Sequence, residues 1–333
     1  MADPFRSPTP WRAFAGLALA GALVAGLLIW RGVAARMPGE RFEGPAPVTA
    51  AERQAAASLR RDVEALVALG ERSARRPDAL RRGRDLIVAR LTEIGLEPRL
   101  DGYEVDGARF DNVVAGAEEG GLMIGAHYDS APGSPGGNDD ASGVAAVLAL
   151  AERLREEPGA RFALFVNEEP PRFRTADMGS RVLAHRLARQ RRLPDAMIAL
   201  DSLGCYRGEE GSQRYATFAQ SVAFGTRGDF VAFVGDDLSE ALLRSAVERF
   251  REVARIPSEG AVLSRAVQGA GWSDHESFWL QGVPAILVTD TAAFRDDAYH
   301  TPRDDGSQID YVALARVVDG LEAVARARLS GSP

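Results

Sequence analysis

The stretch that most constrains this chain runs from Leu122 to Glu157, LMIGAHYDSAPGSPGGNDDASGVAAVLALAERLREE. It opens with an apolar run ending in Ala-His-Tyr-Asp, and a loop of Gly, Pro, Ser and Asn follows. From Asp139-Asp140 onward, Val144, Val147, Leu148, Ala151 and Leu154 recur at the spacing of one buried helix face. The pattern predicts a strand, a turn and a helix, with His127, Asp129, Asp139 and Asp140 gathered at the handover. In an open α/β sheet, ligands bind beyond the carboxyl ends of the strands. Acids and an imidazole massed at that edge suggest a metal.

The pattern recurs. Arg161-Phe-Ala-Leu-Phe-Val leads to Asn167-Glu168-Glu169, and Met197-Ile-Ala-Leu leads to Asp201. Pro284-Ala-Ile-Leu-Val is followed, after a loop, by Tyr299-His300. Four apolar runs are thus each followed by carboxylate or imidazole, a donor set that suits zinc and its neighbours.

The segments AHYDS, GGNDDASG, NEE, ALDSLG, SDHESF and YHTPRDD, in that order, resemble the co-catalytic di-zinc aminopeptidase family, from about Leu59 to Arg328. That family includes bacterial leucyl aminopeptidases, glutamate carboxypeptidases and, as a one-zinc branch, glutaminyl cyclases. The resemblance implies two zinc ions, or other divalent metals, per chain. It matches Asp139 to the carboxylate bridging both metals, Glu169 and His300 to ligands of one, and His127 and Asp201 to ligands of the other. Glu168 matches the general base, and Asp129 the acid that orients the ligand histidine. It further implies a single three-layer α/β domain with a mixed, mostly parallel central sheet flanked by helices. The residue chemistry agrees. Two metals about 3.5–4 Å apart need a shared carboxylate, and a neighbouring free carboxylate can take a proton from water. Neighbouring glutamates on irregular backbone can point one way to metal and the other to water.

Other hydrolase arrangements lack their context. Ser142 and Ser180 lie outside any G-x-S-x-G elbow, and there is no H-E-x-x-H helix. A formal charge of −7 and a pI near 5.3 argue against nucleic acid as the main partner. The one cysteine, Cys205, excludes an intrachain disulfide.

Residues 1–12 form a tail, and Ala13 to Trp30 is an unbroken apolar run of 18 residues. As a helix it would extend about 27 Å, close to the hydrocarbon thickness of a bilayer. No small-x-small cleavage site closes it, so it reads as an uncleaved single-pass anchor, with the lipid bilayer as partner and the catalytic domain outside the cytoplasm. Residues 31–49, rich in Pro and Gly, read as a linker, and 50–330 as the exopeptidase domain. Helices are expected over Ala50–Leu69 and over Asp78–Ile94, the latter with Leu86, Ile87, Leu91 and Ile94 inward. The arginines of 72–84 read as a solvated helix face. Strands are expected over Glu97–Val105 and Arg109–Ala115, and helices over Leu238–Val253 and Tyr311–Leu329. Tyr206 to Asp229 reads as a second cleft wall, and His185 as plain surface.

One segment departs from the family pattern. Pro170 to Met178 replaces a short Gly-Leu-x-Gly-Ser link, and glutaminyl cyclases also carry a longer insertion there. Arg172 and Arg174 in this loop either grip a substrate carboxylate or are surface arginines. His275 matches a family histidine that binds no metal, and is either a substrate contact or a hydrogen-bonded loop residue. Three functions follow: a membrane-anchored di-zinc aminopeptidase acting on peptides, a one-zinc glutaminyl cyclase, or a non-catalytic ectodomain like the transferrin-receptor relatives. The expected anchor is tested by fractionation: the full-length chain should stay with membranes in high salt, and release by salt alone would contradict an anchor.

Overall fold

The computed structural model describes residues 37–331, and the Ala13–Trp30 run lies outside them. Among the described residues no helix is long and apolar enough to cross a membrane.

An eight-stranded sheet runs in the order β1 (Arg99–Val105), β2 (Ala108–Gly116), β4 (Ala160–Phe165), β3 (Leu122–His127), β5 (Ala196–Leu200), β10 (Ala285–Thr289), β8 (Val231–Gly235), β9 (Ser258–Val262). β4, β3, β5 and β10 are parallel; β1, β2 and β8 join antiparallel, and β9 pairs parallel to β8. The four central parallel strands are buried along their whole length, as strands covered on both faces must be. A small ribbon, β6 (Arg207–Glu210) with β7 (Arg227–Gly228), stands apart from this sheet.

On one face pack α1 (Ala50–Val67), α2 (Pro77–Glu93), α3 (Gly143–Leu154), α6 (Glu240–Val253) and α8 (Tyr311–Leu329). On the other pack α4 (Gly179–Gln190) and the short α7 (His275–Trp279); a further short helix, α5 (Phe218–Phe224), falls between them in the chain. α1 begins in a capping box, Thr49 with Glu52, and buries Leu59, Val63 and Leu66. α8 is capped by Asp310, which accepts from the N–H groups of Val312 and Ala313. α3 is buried nearly all round because its small, apolar residues fit between sheet and outer helices. Cys205 is buried and free.

Because the chain leaves β3 first towards β4 and later towards β5, on opposite sides, the order reverses at the carboxyl end of β3. That crevice is where an open sheet receives a ligand.

Three expectations need correction. Leu86 is 40% exposed, since the inward stripe of α2 runs through Leu80, Gly83, Ile87 and Leu91 and leaves position 86 beside it. Arg72 is no part of a solvated face but wholly buried. Its guanidinium donates to the carbonyls of Leu66, Tyr128, Pro135 and Gly136, so it ties the α1–α2 turn to the loop beyond β3. The linker from Met37 on is no free tether. Arg251 donates to the carbonyls of Met37, Pro38 and Gly39, Arg255 to that of Pro47, and Arg316 to that of Ala46.

Arg72→Met should leave the buried carbonyls of Leu66, Tyr128 and Gly136 and the half-buried one of Pro135 without this donor, and remove a buried cation beside acids. The expected loss of stability is about 3 kcal/mol or more by urea unfolding. A loss under about 1 kcal/mol, the net worth of one ordinary hydrogen bond, would contradict this role.

Candidate metal centre

His127 is the last residue of β3, Glu168 and Glu169 lie just beyond β4, and Asp201 directly follows β5. Asp139 comes in on the turn 137–142, and His300 on the loop after β10. The crevice brings all six together. His127 Nε2 lies 3.2 Å from Asp139 Oδ1, and His300 Nε2 lies 3.0 Å from Asp139 Oδ2, so Asp139 stands between the two imidazoles. Glu169 Oε2 is 3.1 Å from His300 Nε2. Asp201 Oδ2 and Glu168 Oε2 are each 3.9 Å from His127 Nε2. Two groups have metal-holding geometry: Asp139, Glu169 and His300, and His127, Asp140 and Asp201.

Asp129 organises the acids around it. Its two oxygens accept the backbone N–H groups of Glu168 and Glu169 at 3.2 and 3.1 Å. Its Oδ1 is also 3.7 Å from His127 Nδ1, which leaves His127 Nε2 for the centre. The turn carrying Asp139 depends on Gly136, which has φ +61 and whose added Cβ would come 2.6 Å from the Asp139 carbonyl oxygen. Asn167, Ser202 and His300 also hold positive φ, at 61°, 56° and 56°. Each is a candidate site residue or the neighbour of one, so three of the eight non-glycine residues with positive φ among the described residues lie at this centre.

Sequence reasoning did not single out several residues that build this centre. Asp304 accepts from the N–H groups of Asn138 and Asp139 at 2.6 and 3.1 Å, which fixes the turn from outside. Asn138 in turn donates to Asp290 and Asp296 and accepts from Gly204. Asp140, which the sequence did place at the handover, gives one oxygen to the N–H groups of Gly143 and Ser202 and keeps the other without a hydrogen bond. Asp274, wholly buried, faces the same charges, and burial pushes its carboxyl up to about 7. The signal for Asp304 was its place in YHTPRDD, but nothing local tells that its carboxylate turns back to Asp139.

The remaining candidates lie in other contacts. Arg172 pairs with Asp106 and, at 3.3 Å, with Asp177. Arg174 pairs with Glu276. His275 is fully buried, its Nε2 2.8 Å from the Ala270 carbonyl and its ring edge-on to Trp279; burial pulls its pKa down to about 4. His185 is exposed.

The donor set fits divalent cations. Burial pushes the Glu168 carboxyl far above its ordinary range and that of Glu169 up to about 7, with neighbouring acids adding to both. Against burial, Asp139 and Glu169 hold the His300 imidazole up to about 10. Asp139 Oδ2, Glu169 Oε1 and His300 Nε2 are buried without a hydrogen bond. Polar atoms so placed normally have a partner, and a cation among them supplies one. Beside the centre opens a mostly apolar pocket of about 120 Å³, reaching from Asp201 past Trp272 and Phe294 to β9. Residues 213–224 supply part of its wall.

Asp304→Ala should leave the fold intact but free the turn carrying Asp139. Zinc affinity, read by competition with a chelator, is expected to fall about 10–100-fold. Unchanged affinity would show that the turn needs no such support.

The model of Peptidase family M28 matches residues 112–325. The uncharacterized protein YfbL of Escherichia coli (strain K12) is 36% identical over 270 residues, 75% of this chain and 81% of that protein. Among solved structures, the LapA aminopeptidase of Legionella pneumophila superposes with a TM-score of 0.61 at 16% identity, over 85% of this chain and 76% of that one. The glutaminyl cyclase of Tannerella forsythia gives 0.59 at 20% identity, over 81% and 97%. A Zn-dependent exopeptidase from Parabacteroides distasonis gives 0.57 at 19% identity, over 81% and 97%. These likenesses establish a shared fold, and the family match covers every ligand candidate from His127 to His300. The chain belongs to peptidase family M28.

Proposed function

We propose that the chain is a metal-dependent aminopeptidase that removes N-terminal residues from peptides, with two zinc or similar divalent ions per chain. The observation that carries this reading is the position of Asp139, with one oxygen towards His127 and the other towards His300. A carboxylate so placed can serve two ligand sets at once. Bound there, a pair of divalent metals would acidify a water molecule and draw electron density from the scissile carbonyl.

The protein's own groups do the rest. Glu168, buried and fixed through its backbone N–H to Asp129, takes the proton from the attacking water and delivers it to the departing amine. Asp129 keeps both glutamates and His127 in register, so the base and the ligands move as one unit. The apolar pocket beyond Asp201 receives the side chain of the residue being removed, which favours a bulky uncharged one. The N-terminal run would hold this domain at the outer face of a membrane as a single-pass anchor.

A second reading, glutaminyl cyclisation with one zinc, is favoured by a separate observation. Three orphaned atoms, of Asp139, Glu169 and His300, fall in one ligand set, against a single one, of Asp140, in the other. Cyclisation of a glutaminyl peptide, with a single equivalent of metal, would support it over hydrolysis. A non-catalytic role predicts missing ligands, and all five are present.

Glu168→Gln keeps size and hydrogen-bonding shape but cannot take the proton. Its kcat on aminoacyl anilides should fall by about 10²–10⁴-fold, with KM and bound metal little changed. Glu169→Gln should instead lose metal and partly recover in excess zinc. A Glu168→Gln enzyme active within about tenfold of the parent would remove Glu168 as the base. Metal loss in that variant alone would exchange the two roles.

A further inference from the structure

The pocket beside the centre has a floor made of three strands. Strand register sets Thr289 of β10 beside Ala232 of β8, and Ala232 beside Glu259 of β9. A second row, Leu287, Val234 and Ala261, runs alongside. Laterally paired residues share a sheet face. All six line the pocket, and the only carboxylate on this floor is Glu259, at the edge away from Asp201. β9 lies two strands from β10, about 10 Å across the floor. An extended basic side chain and the glutamate's own length together span that distance.

Glu259 is matched by a cation from outside the α/β domain. Arg41, in the segment ahead of α1, sets its Nε 2.8 Å from Glu259 Oε1 and also pairs with Asp229 at 3.3 Å and Glu43 at 3.1 Å. Arg251 stands 3.9 Å from the other Glu259 oxygen, but its guanidinium is hydrogen-bonded to the carbonyls of Met37, Pro38, Gly39 and Ser258. Those bonds, and Met37 packed over Gly260, hold the segment where Arg41 reaches Glu259. Burial pushes the Glu259 carboxyl up, and Arg41 works against that rise. Tyr215 lines the same pocket with its hydroxyl buried and without a hydrogen bond.

We propose that Arg41 is a specificity-determining residue: by pairing with Glu259 it makes the far end of the pocket select an uncharged N-terminal side chain. The proposal rests on the aminopeptidase reading above. Without Arg41, the carboxylate keeps only Arg251, 3.9 Å away and with its guanidinium committed to four carbonyls, and it attracts an arginine or lysine side chain. With Arg41 in place, a basic side chain brings a second cation to an ion pair that is already neutral, which is selection by repulsion. The segment between the apolar N-terminal run and the domain thereby becomes part of the substrate site.

The test compares the full-length protein with Arg41→Met, Glu259→Gln and the double variant on arginyl and leucyl anilides. Arg41→Met is expected to raise the arginine-to-leucine ratio of kcat/KM by about tenfold or more. Glu259→Gln, which removes the carboxylate from the pocket floor and leaves Arg41 only Asp229 and Glu43, should lower it. The double variant should return to within about twofold of the parent. Calorimetric binding of argininamide and leucinamide should give the same order without turnover. An unchanged ratio in Arg41→Met, or a gain that persists in the double variant, would overturn the proposal. Should Arg41→Met fail to fold, an unchanged ratio in Glu259→Gln overturns it. A parent inactive on every N-terminal substrate, with amide affinities that still shift as stated, would remove the reaction and keep the pocket assignment.

Discussion

Negative charge packed out of water has to be answered by positive charge, and this chain is arranged around that need. Asp129, Asp139, Asp140, Glu168, Glu169 and Asp201 are each at most 8% exposed and converge on one crevice. Among the described residues the cations beside them are two imidazoles and Arg72, whose own buried guanidinium is drawn towards Asp129, Asp304, Asp140 and Asp139. Protons can quench part of the remainder, as the raised carboxyls of Glu168 and Glu169 indicate. Divalent metals do so while keeping the acids ionised, and an ionised Glu168 is what a general base requires.

The protein holds this arrangement in place by making its backbone part of it. Asp129 and Asp304 act at opposite sides of the centre, each accepting two consecutive N–H groups, those of Glu168–Glu169 and of Asn138–Asp139. Such pairs fix a peptide plane as well as a position, so the side chains that follow have few rotamers left. Left-handed backbone at Asn167, Ser202 and His300 is tolerated because these bonds and the surrounding core over-determine it. The same logic extends outward to Arg72, which ties the helical layer to the loop beyond β3.

Much of this was legible in the sequence, for a physical reason. Most of the candidate site residues follow an apolar run, and parallel strands buried on both faces must be such runs, so strand ends and candidate chemistry could be read together. α8 and the strands around the crevice therefore agree with expectation, as does the meeting of His127, Asp139, Glu168, Glu169, Asp201 and His300. What could not be read were contacts between residues far apart in the chain. Asp304 serves Asn138 and Asp139, Arg72 serves Pro135 and Gly136, and Arg41 serves Glu259. Arginine-rich surface and arginine buried under a loop have the same composition. A Pro- and Gly-rich segment looks like a tether whether or not other residues clamp its carbonyls, as Arg251, Arg255 and Arg316 do here. Leu86 was misplaced because one step around a helix separates core from solvent.

The central claim is that Asp139 is shared between two metals. Crystals of the protein grown with zinc and measured at the zinc absorption edge would test it directly. The account predicts two anomalous peaks about 3.5–4 Å apart, one between His127 and Asp201 and one between Glu169 and His300, with an Asp139 oxygen on each. A single peak confined to Asp139, Glu169 and His300, or none within reach of these side chains, would contradict it.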